Sequence, residues 1–156
     1  MVGLLGPNGA GKTTCFYIIA GLIKPDNGLV NIGKIDITGY PVYKRARIGL
    51  GYLPQEMSIF KGLSVEDNLL SIIETKELDN HKRYQILEDL LVEFNITKIR
   101  SSLGVTLSGG ERRKVEIARC IASNPTHILL DEPFSGIDPI AIQDLKNLIG
   151  YLKQRK

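Results

Sequence analysis

Long apolar runs are missing from this chain of 156 residues. No stretch approaches the roughly 18 consecutive apolar residues of a membrane span. Met1 is followed by no basic segment and no small-residue cleavage site, so a secretory leader is not expected. Any tie to a membrane is therefore expected to pass through a partner. Charge of one sign is scarce too: 20 Lys and Arg against 17 Asp and Glu leave +3, too little to mark a polyanion binder. The densest basic runs are Lys82-Arg83 and Arg112-Arg113-Lys114. Aromatic residues do not interleave with them, so they read as solvated helix faces, and no nucleic-acid partner is expected. Cysteine is limited to Cys15 and Cys120, both in predicted helices and without metal-ligand spacing. Reduced, packed thiols of a cytosolic protein are the expectation. His81 lies in a polar stretch and His127 at a strand edge. With 43% hydrophobic residues the chain can bury one core, as a single α/β domain or part of one.

What the chain does carry begins at Gly6. Gly6-Pro7-Asn8-Gly9-Ala10-Gly11-Lys12-Thr13-Thr14 fits the pattern G-x-x-x-x-G-K-[ST] and follows the apolar run Val2 to Leu5, which reads as a short strand. This is a P-loop. Phosphate oxygens are bound there by converging backbone N–H groups, which needs a tight turn where glycine takes positive φ and no Cβ blocks the ligand. Gly6, Gly9 and Gly11 meet that need. Lys12 supplies a mobile cation for the β- and γ-phosphates and Thr13 a hydroxyl for Mg²⁺, while the helix starting here points its positive dipole end at the same charge.

The first helix is predicted from Lys12 to about Ile23, burying Ile18, Ile19, Leu22 and Ile23, with Lys24-Pro25-Asp26-Asn27-Gly28 ending it. Val30, Ile32, Ile35 and Ile37 alternate up to Gly39 as one or two short strands. After a short polar helix at about Val42 to Arg47, the segment Ile48 to Gln55 reads as a strand running into a loop, with Pro54 stopping the ladder just before Gln55. Ser64 offers an N-cap, and Glu66 and Asp67 first-turn acids, for a helix through about Glu74. Another helix, about Asn80 to Phe94, carries Ile86, Leu87, Leu90, Leu91 and Phe94 on one stripe. The middle of the chain thus reads as a helical insertion between two strand-bearing parts.

Leu107-Ser108-Gly109-Gly110-Glu111 stands directly before a helix with Val115, Ala118, Ile121 and Ala122 on one side. Ser108 and Glu111 satisfy the S-x-x-E capping box. Two glycines at a helix N-terminus also expose N–H groups to an anion, so a second phosphate site is equally open. Because the chain already has a P-loop, that second site is expected to complete a nucleotide bound by another copy. His127 to Leu130 reads as a buried strand ending in Asp131 and Glu132. Strand side chains alternate, so the two carboxylates take different tasks. Asp131 is expected in the Mg²⁺ shell, and Glu132 is expected to orient and polarise the attacking water. Ser135-Gly136-Ile137-Asp138-Pro139 follows as a turn, with Pro139 opening a helix whose Leu145, Leu148, Ile149 and Leu152 point inward.

In this order the P-loop, Gln55, residues 107–111, the carboxylate pair and the 135–138 turn resemble the ATP-binding cassette (ABC) ATPases. The signature at Leu107 to Glu111 separates that family from GTPases, kinases and helicases, and the resemblance spans essentially the whole chain. It implies an α/β fold: a P-loop NTPase core, RecA-like with a mostly parallel sheet, in residues 1–55 and 125–156, and a helical subdomain at about 56–124 inserted after the Q-loop and including the signature. It implies ATP and Mg²⁺ as ligands, with Gln55 joining Thr13 and Asp131 at the metal and sensing a transmembrane partner. It makes Ser135, Gly136, Ile137 and Asp138 the D-loop of a head-to-tail homodimer that sandwiches two ATP molecules. Ser108 and Gly110 of one copy would close on the γ-phosphate held by the other. Phe60 and Leu63, just beyond the Q-loop, are the implied contacts for the coupling helices of a permease, with ordinary core packing as the alternative.

Within the family, Arg45 to Glu56, Ser58-Ile59-Phe60 and Asp131 to Pro139 are similar to the ATPases that drive lipopolysaccharide export. That implies a peripheral protein on the cytoplasmic face of a bacterial inner membrane. An ATPase of branched-chain amino-acid importers remains open as an alternative. Family members carry, before the P-loop, strands and an aromatic residue that stacks on adenine, and beyond the D-loop a strand ending in a switch histidine. Here five residues precede Gly6, and neither His81 nor His127 stands at that position. A truncated domain is therefore expected, and with it a further alternative, a nucleotide-binding module with little or no turnover. Cassette ATPases of DNA repair interrupt the core with long heptad segments, and none occurs here.

Overall fold

Side-chain caps and apolar spacing decide where this chain is helical. The computed structural model describes residues 1–154, with helices α1 (Lys12–Ala20), α2 (Val42–Arg47), α3 (Val65–Ile73), α4 (Asn80–Glu93), α5 (Gly109–Ala122) and α6 (Pro139–Gln154). Ser64 starts α3 by accepting from the Asp67 N–H at 3.0 Å, and Asp79 starts α4 by accepting from the Lys82 N–H at 2.8 Å. The strands are β1 (Asn31–Ile32), β2 (Ile35–Asp36), β3 (Leu50–Leu53) and β4 (His127–Leu130). β1 and β2 form a small antiparallel hairpin turning through Gly33 at φ 59°.

β3 and β4 pair in parallel, Leu50 opposite His127 through Leu53 opposite Leu130. Parallel neighbours need a long crossover, here the whole helical stretch between them. The pairing brings Pro54-Gln55 and Asp131-Glu132 to the same end of the two strands. One hydrophobic cluster joins the layers: Leu53 of β3, Leu69 of α3, Leu87 of α4, Ile117 of α5 and Leu145 of α6, each at most 1% exposed. Among the described residues no helix is long and apolar enough to cross a membrane.

Several expectations are corrected. β4, expected to be buried, has His127 exposed and Ile128 to Leu130 half-buried. Of the three P-loop glycines expected at positive φ, Gly9 and Gly11 take it and Gly6 does not. Val2 to Leu5 forms no strand, and Val2 and Leu5 are 97% and 94% exposed. A strand is held by a ladder and a packed face, and β3 and β4 pair with each other and not with this run. α1 ends at Ala20 rather than Ile23. Gly21, at φ 85°, donates to the Tyr17 and Ile18 carbonyls, and Leu22 N–H reaches Tyr17 O at 2.9 Å, a Schellman closure. Leu22 and Ile23 therefore leave the helix and are exposed, while Ile18 and Ile19 are only half-buried. Cys15 is exposed on α1 rather than packed; Cys120 is half-buried, and burial pushes its thiol up to about 11. In the run 112–114, expected to be a solvated face, Arg113 is buried and paired with Glu116.

Candidate nucleotide-binding site

Gly9 and Gly11 sit at φ 80° and 85°, a region glycine enters without Cβ strain. Gly11 is the N-cap of α1 and no side chain caps the helix, so its first N–H groups stay available to an anion. The loop closes on itself at Ala10, whose N–H donates to Pro7 O at 3.2 Å. Lys12 arches back over it, its Nζ donating to Gly6 O and Pro7 O at 2.9 Å each. Thr13 is half-buried, and Asn8 and Thr14 are exposed.

The far end of α1 is anchored by Arg45 of α2, a helix whose sequence is polar. Arg45 is 2% exposed. Nη1 donates to Ile18 O at 2.6 Å and Ile19 O at 2.7 Å, Nε to Tyr40 O at 2.8 Å and Nη2 to Thr38 O at 2.9 Å. A guanidinium at a helix C-terminus is favoured by the dipole and satisfies carbonyls the helix leaves open. Burial lowers its pKa from the ordinary value, but a guanidinium stays charged. A Cβ on Gly21 would lie 2.8 Å from Arg45 Nε, so Gly21 both ends α1 and admits the arginine.

At the C-terminal ends of β3 and β4, Asp131 is 1% exposed and its N–H donates to Leu53 O at 3.0 Å, extending the ladder. Its Oδ2 and Tyr52 Oη are both buried, and neither has a partner at full hydrogen-bond geometry. Burial first, then the Asp131 charge, and further a weak hydrogen-bonding interaction with the Asp131 side chain push the Tyr52 phenol up to about 12, so it stays neutral. The Tyr52 ring meets Tyr17 of α1 edge-on, centroids 6.3 Å apart, which packs the P-loop helix against β3. An orphaned carboxylate oxygen is costly in a protein interior, and a hard cation is the partner its chemistry suits. Glu132 follows at φ 41°, half-buried, a backbone conformation that non-glycine residues seldom adopt away from functional turns. Gln55 is exposed in the loop after Pro54.

Ser108 and Glu111 form the expected capping box: the Glu111 N–H donates to Ser108 Oγ at 3.3 Å, and the Ser108 N–H to Glu111 Oε2 at 2.9 Å. The Ser108 hydroxyl, donating at 2.7 Å, holds the Glu111 carboxyl below its usual range. Leu107 is buried, Ser108 and Gly109 are exposed, and Gly110 is packed under α6. A Cβ on Gly109 would lie 3.6 Å from Gly136 O, so the signature and the 135–138 turn are neighbours within one chain. Asp138 Oδ1 accepts from the Ala141 N–H at 3.0 Å and starts α6, Ile137 packs against the core, and Ser135 is exposed.

The family model described as ABC transporter matches residues 1–135. The chain belongs to the ABC transporter family. This is a family of ATP-binding cassettes, and the P-loop NTPase core with a helical insertion is its fold. The cassette is 55% identical over 154 residues to an uncharacterised ABC transporter ATP-binding protein of Rhizobium meliloti, covering 99% of this chain and 57% of that protein. It is 53% identical over 156 residues to the lipopolysaccharide export system ATP-binding protein LptB of Haemophilus influenzae, covering 99% of this chain and 65% of LptB. The chain thus spans less than two thirds of the length of these relatives. Among solved structures, the cassette MJ0796, dimeric in a post-hydrolysis state bound to ADP and Pi, is 27% identical with a TM-score of 0.81, over 95% of this chain and 67% of that one. CbiO1 of Clostridium perfringens, part of the transporter complex cbiONQ, is 25% identical with a TM-score of 0.83, over 96% and 61%.

Beyond Gln55 the cassette presents Phe60 and Leu63, 50% and 39% exposed. Their loop is held from beneath by Asn68, fully buried on α3. Its Oδ1 accepts from the Phe60 N–H at 2.9 Å, and its Nδ2 donates to Phe60 O at 3.0 Å and Ser64 O at 2.9 Å. The Arg119 guanidinium lies 4.5 Å over the Phe60 ring and donates to Ser58 O at 2.6 Å. A groove of about 320 Å³ lined by Leu22, Val42, Ala46, Ile72 and Arg119 opens on this side. A larger cleft of about 730 Å³, between α4 and α6, holds none of the motif residues.

Proposed function

We propose that this cassette binds ATP with Mg²⁺ and hydrolyses it as the motor subunit of a bacterial transporter that exports lipopolysaccharide. The carrying observation is the convergence of Gln55, Asp131 and Glu132 at one end of the β3–β4 pair, with the P-loop helix packed on β3 through Tyr17 and Tyr52. Gly6 to Thr14 wrap the phosphates with backbone N–H groups, and Lys12 Nζ exchanges the Gly6 and Pro7 carbonyls for phosphate oxygens. Thr13, Gln55 and the orphaned Asp131 oxygen would hold Mg²⁺, which when bound neutralises charge on the β- and γ-phosphates. Glu132 orients the attacking water and accepts its proton.

Two copies associate head to tail. Leu107 to Glu111 of one bring Ser108 and Gly110 to the phosphate held by the other, and Ser135 to Asp138 run along the shared interface. Phe60, Leu63 and the adjoining groove receive coupling segments of the permease, which keeps the cassette on the cytoplasmic face of the inner membrane. On this reading residues 1–55 and those from 125 onward are the P-loop core, and 56–124 are the helical subdomain. The lipopolysaccharide assignment is supported by the 53% identity to LptB.

Glu132→Gln in the full chain tests the chemistry: turnover should fall about 100-fold or more while ATP affinity stays within about three-fold. Unchanged turnover overturns the role of Glu132. Co-purification from membranes tests the cargo, since recovery with amino-acid import permeases instead of lipid-export permeases refutes the export assignment.

A further inference from the structure

Arg113 and Glu116, one turn apart on α5, are 6% and 3% exposed, with Arg113 Nη1 and Glu116 Oε2 3.0 Å apart. Neither side chain ends at the other. Glu116 Oε1 accepts from the Ser58 N–H at 2.7 Å and the Ile59 N–H at 3.3 Å. Arg113 donates from Nη1 to Pro54 O at 2.9 Å, from Nε to Pro133 O at 3.1 Å and from Nη2 to Asp131 O at 3.4 Å. The pair therefore grips the chain on both sides of Gln55, at Pro54 and Ser58, and on both sides of Glu132, at Asp131 and Pro133.

Stability alone is a poor account of such an arrangement. Desolvating two charges offsets most of their attraction, and apolar replacements of similar volume are often neutral or better. What the pair supplies is geometry, because a planar guanidinium fixes several acceptors from one position and an ammonium does not. We propose that Arg113, oriented by Glu116, is a positioning residue that holds the Gln55 loop and the Glu132 turn to the signature helix, so that a shift of α5 moves both together. This rests on the assignment above of Gln55 and Glu132 to the nucleotide. It joins the face presented to a permease, the γ-phosphate end of the site and the element that meets the second nucleotide.

The test is steady-state ATP hydrolysis by the full chain and its variants. Arg113→Lys keeps a cation beside Glu116 but loses the fork, so kcat should fall roughly 10- to 100-fold, as misplacement of a reacting group does, with KM for ATP within about three-fold. Arg113→Met combined with Glu116→Leu removes both charges and should restore the parent Tm or exceed it while kcat stays about as low. Added to Glu132→Gln, Arg113→Lys should cost several-fold less than it does alone, because one of the two groups it positions is already gone. A lysine variant as fast as the parent, or a double variant whose kcat recovers with its Tm, overturns the proposal, as does an undiminished loss in the Glu132→Gln background. A parent chain that hydrolyses no ATP overturns the ATPase reading, and the proposal with it.

Discussion

Gly110 and Ala141 meet with no room for a methyl group between them: a Cβ on Gly110 would lie 2.7 Å from Ala141 Cβ. Gly110 thus sets how closely α5 and α6 approach. Gly110→Ala should destabilise the fold by about 1–3 kcal/mol through overpacking, more than the roughly 0.5–1 kcal/mol that alanine adds to a helix. Adding Ala141→Gly should recover much of the loss. Urea denaturation of the parent and both variants checks this, and a single variant as stable as the parent contradicts the contact.

Arg45→Met removes the donor from four carbonyls around the end of α1. Ile18 O keeps the Gly21 N–H, but the other three acceptors lose their partner at about 1–3 kcal/mol each, not fully additive, so a loss of about 3 kcal/mol is expected. ATP affinity should weaken with it, because the other end of the same helix carries the P-loop. Denaturant midpoints beside nucleotide titrations check both effects, and Arg45→Lys should lie between.

Tyr52→Phe is a milder case. The buried phenol interacts with the Asp131 side chain and has no other hydrogen-bond partner, so its removal leaves that carboxylate alone and should cost about 1 kcal/mol. Thermal unfolding decides; an unchanged or higher Tm would mean that the hydroxyl is unbonded.

The capping box predicts a pH dependence. Glu111 has a folded-state pKa below its unfolded value, through the Ser108 hydroxyl first and the Ser108 N–H second. Its contribution is therefore fully present above the usual carboxylate range and is lost as pH falls through the lowered value. Ser108→Ala should cost about 1 kcal/mol near neutral pH. The gap between parent and variant should narrow in acid, and a gap constant down to acid pH would refute the linkage.

The caps at Ser64 and Ser108 and the motif spacing are legible because each is a local arrangement: both side chains bond to N–H groups three residues on, inside the segment that encodes them, and Asp79, which does the same, carries the same signal. The burial of Arg45 and Arg113 is not. Charged residues are exposed by default, and nothing in a basic run says that one member will find carbonyls from distant segments. Arg45 is buried because α1 brings its open carbonyls to it, and Arg113 because the β3 and β4 ends converge there, both facts of tertiary structure. The end of α1 was misplaced for a different reason. Pro25 and Gly28 are strong stop signals, but Gly21 takes the left-handed conformation first and no later signal can extend the helix past it. In the candidate site the residue types came from the motifs, whereas the orphaned Asp131 oxygen beside Tyr52 emerged only from the packing of strand on strand.

The parallel register of β3 and β4 also orders assembly in time. Pairing Leu53 with Leu130 closes a loop through the whole intervening helical stretch, and that entropy is lost before the ladder compensates for it. Helices α3, α4 and α5 share a buried cluster of nearer sequence neighbours and can condense first. Docking of β4, and with it the Asp131 edge, is expected to come last. In pulse-labelled hydrogen exchange the Asp131 amide, bonded to Leu53 O, should gain protection after the amides of α3 to α5.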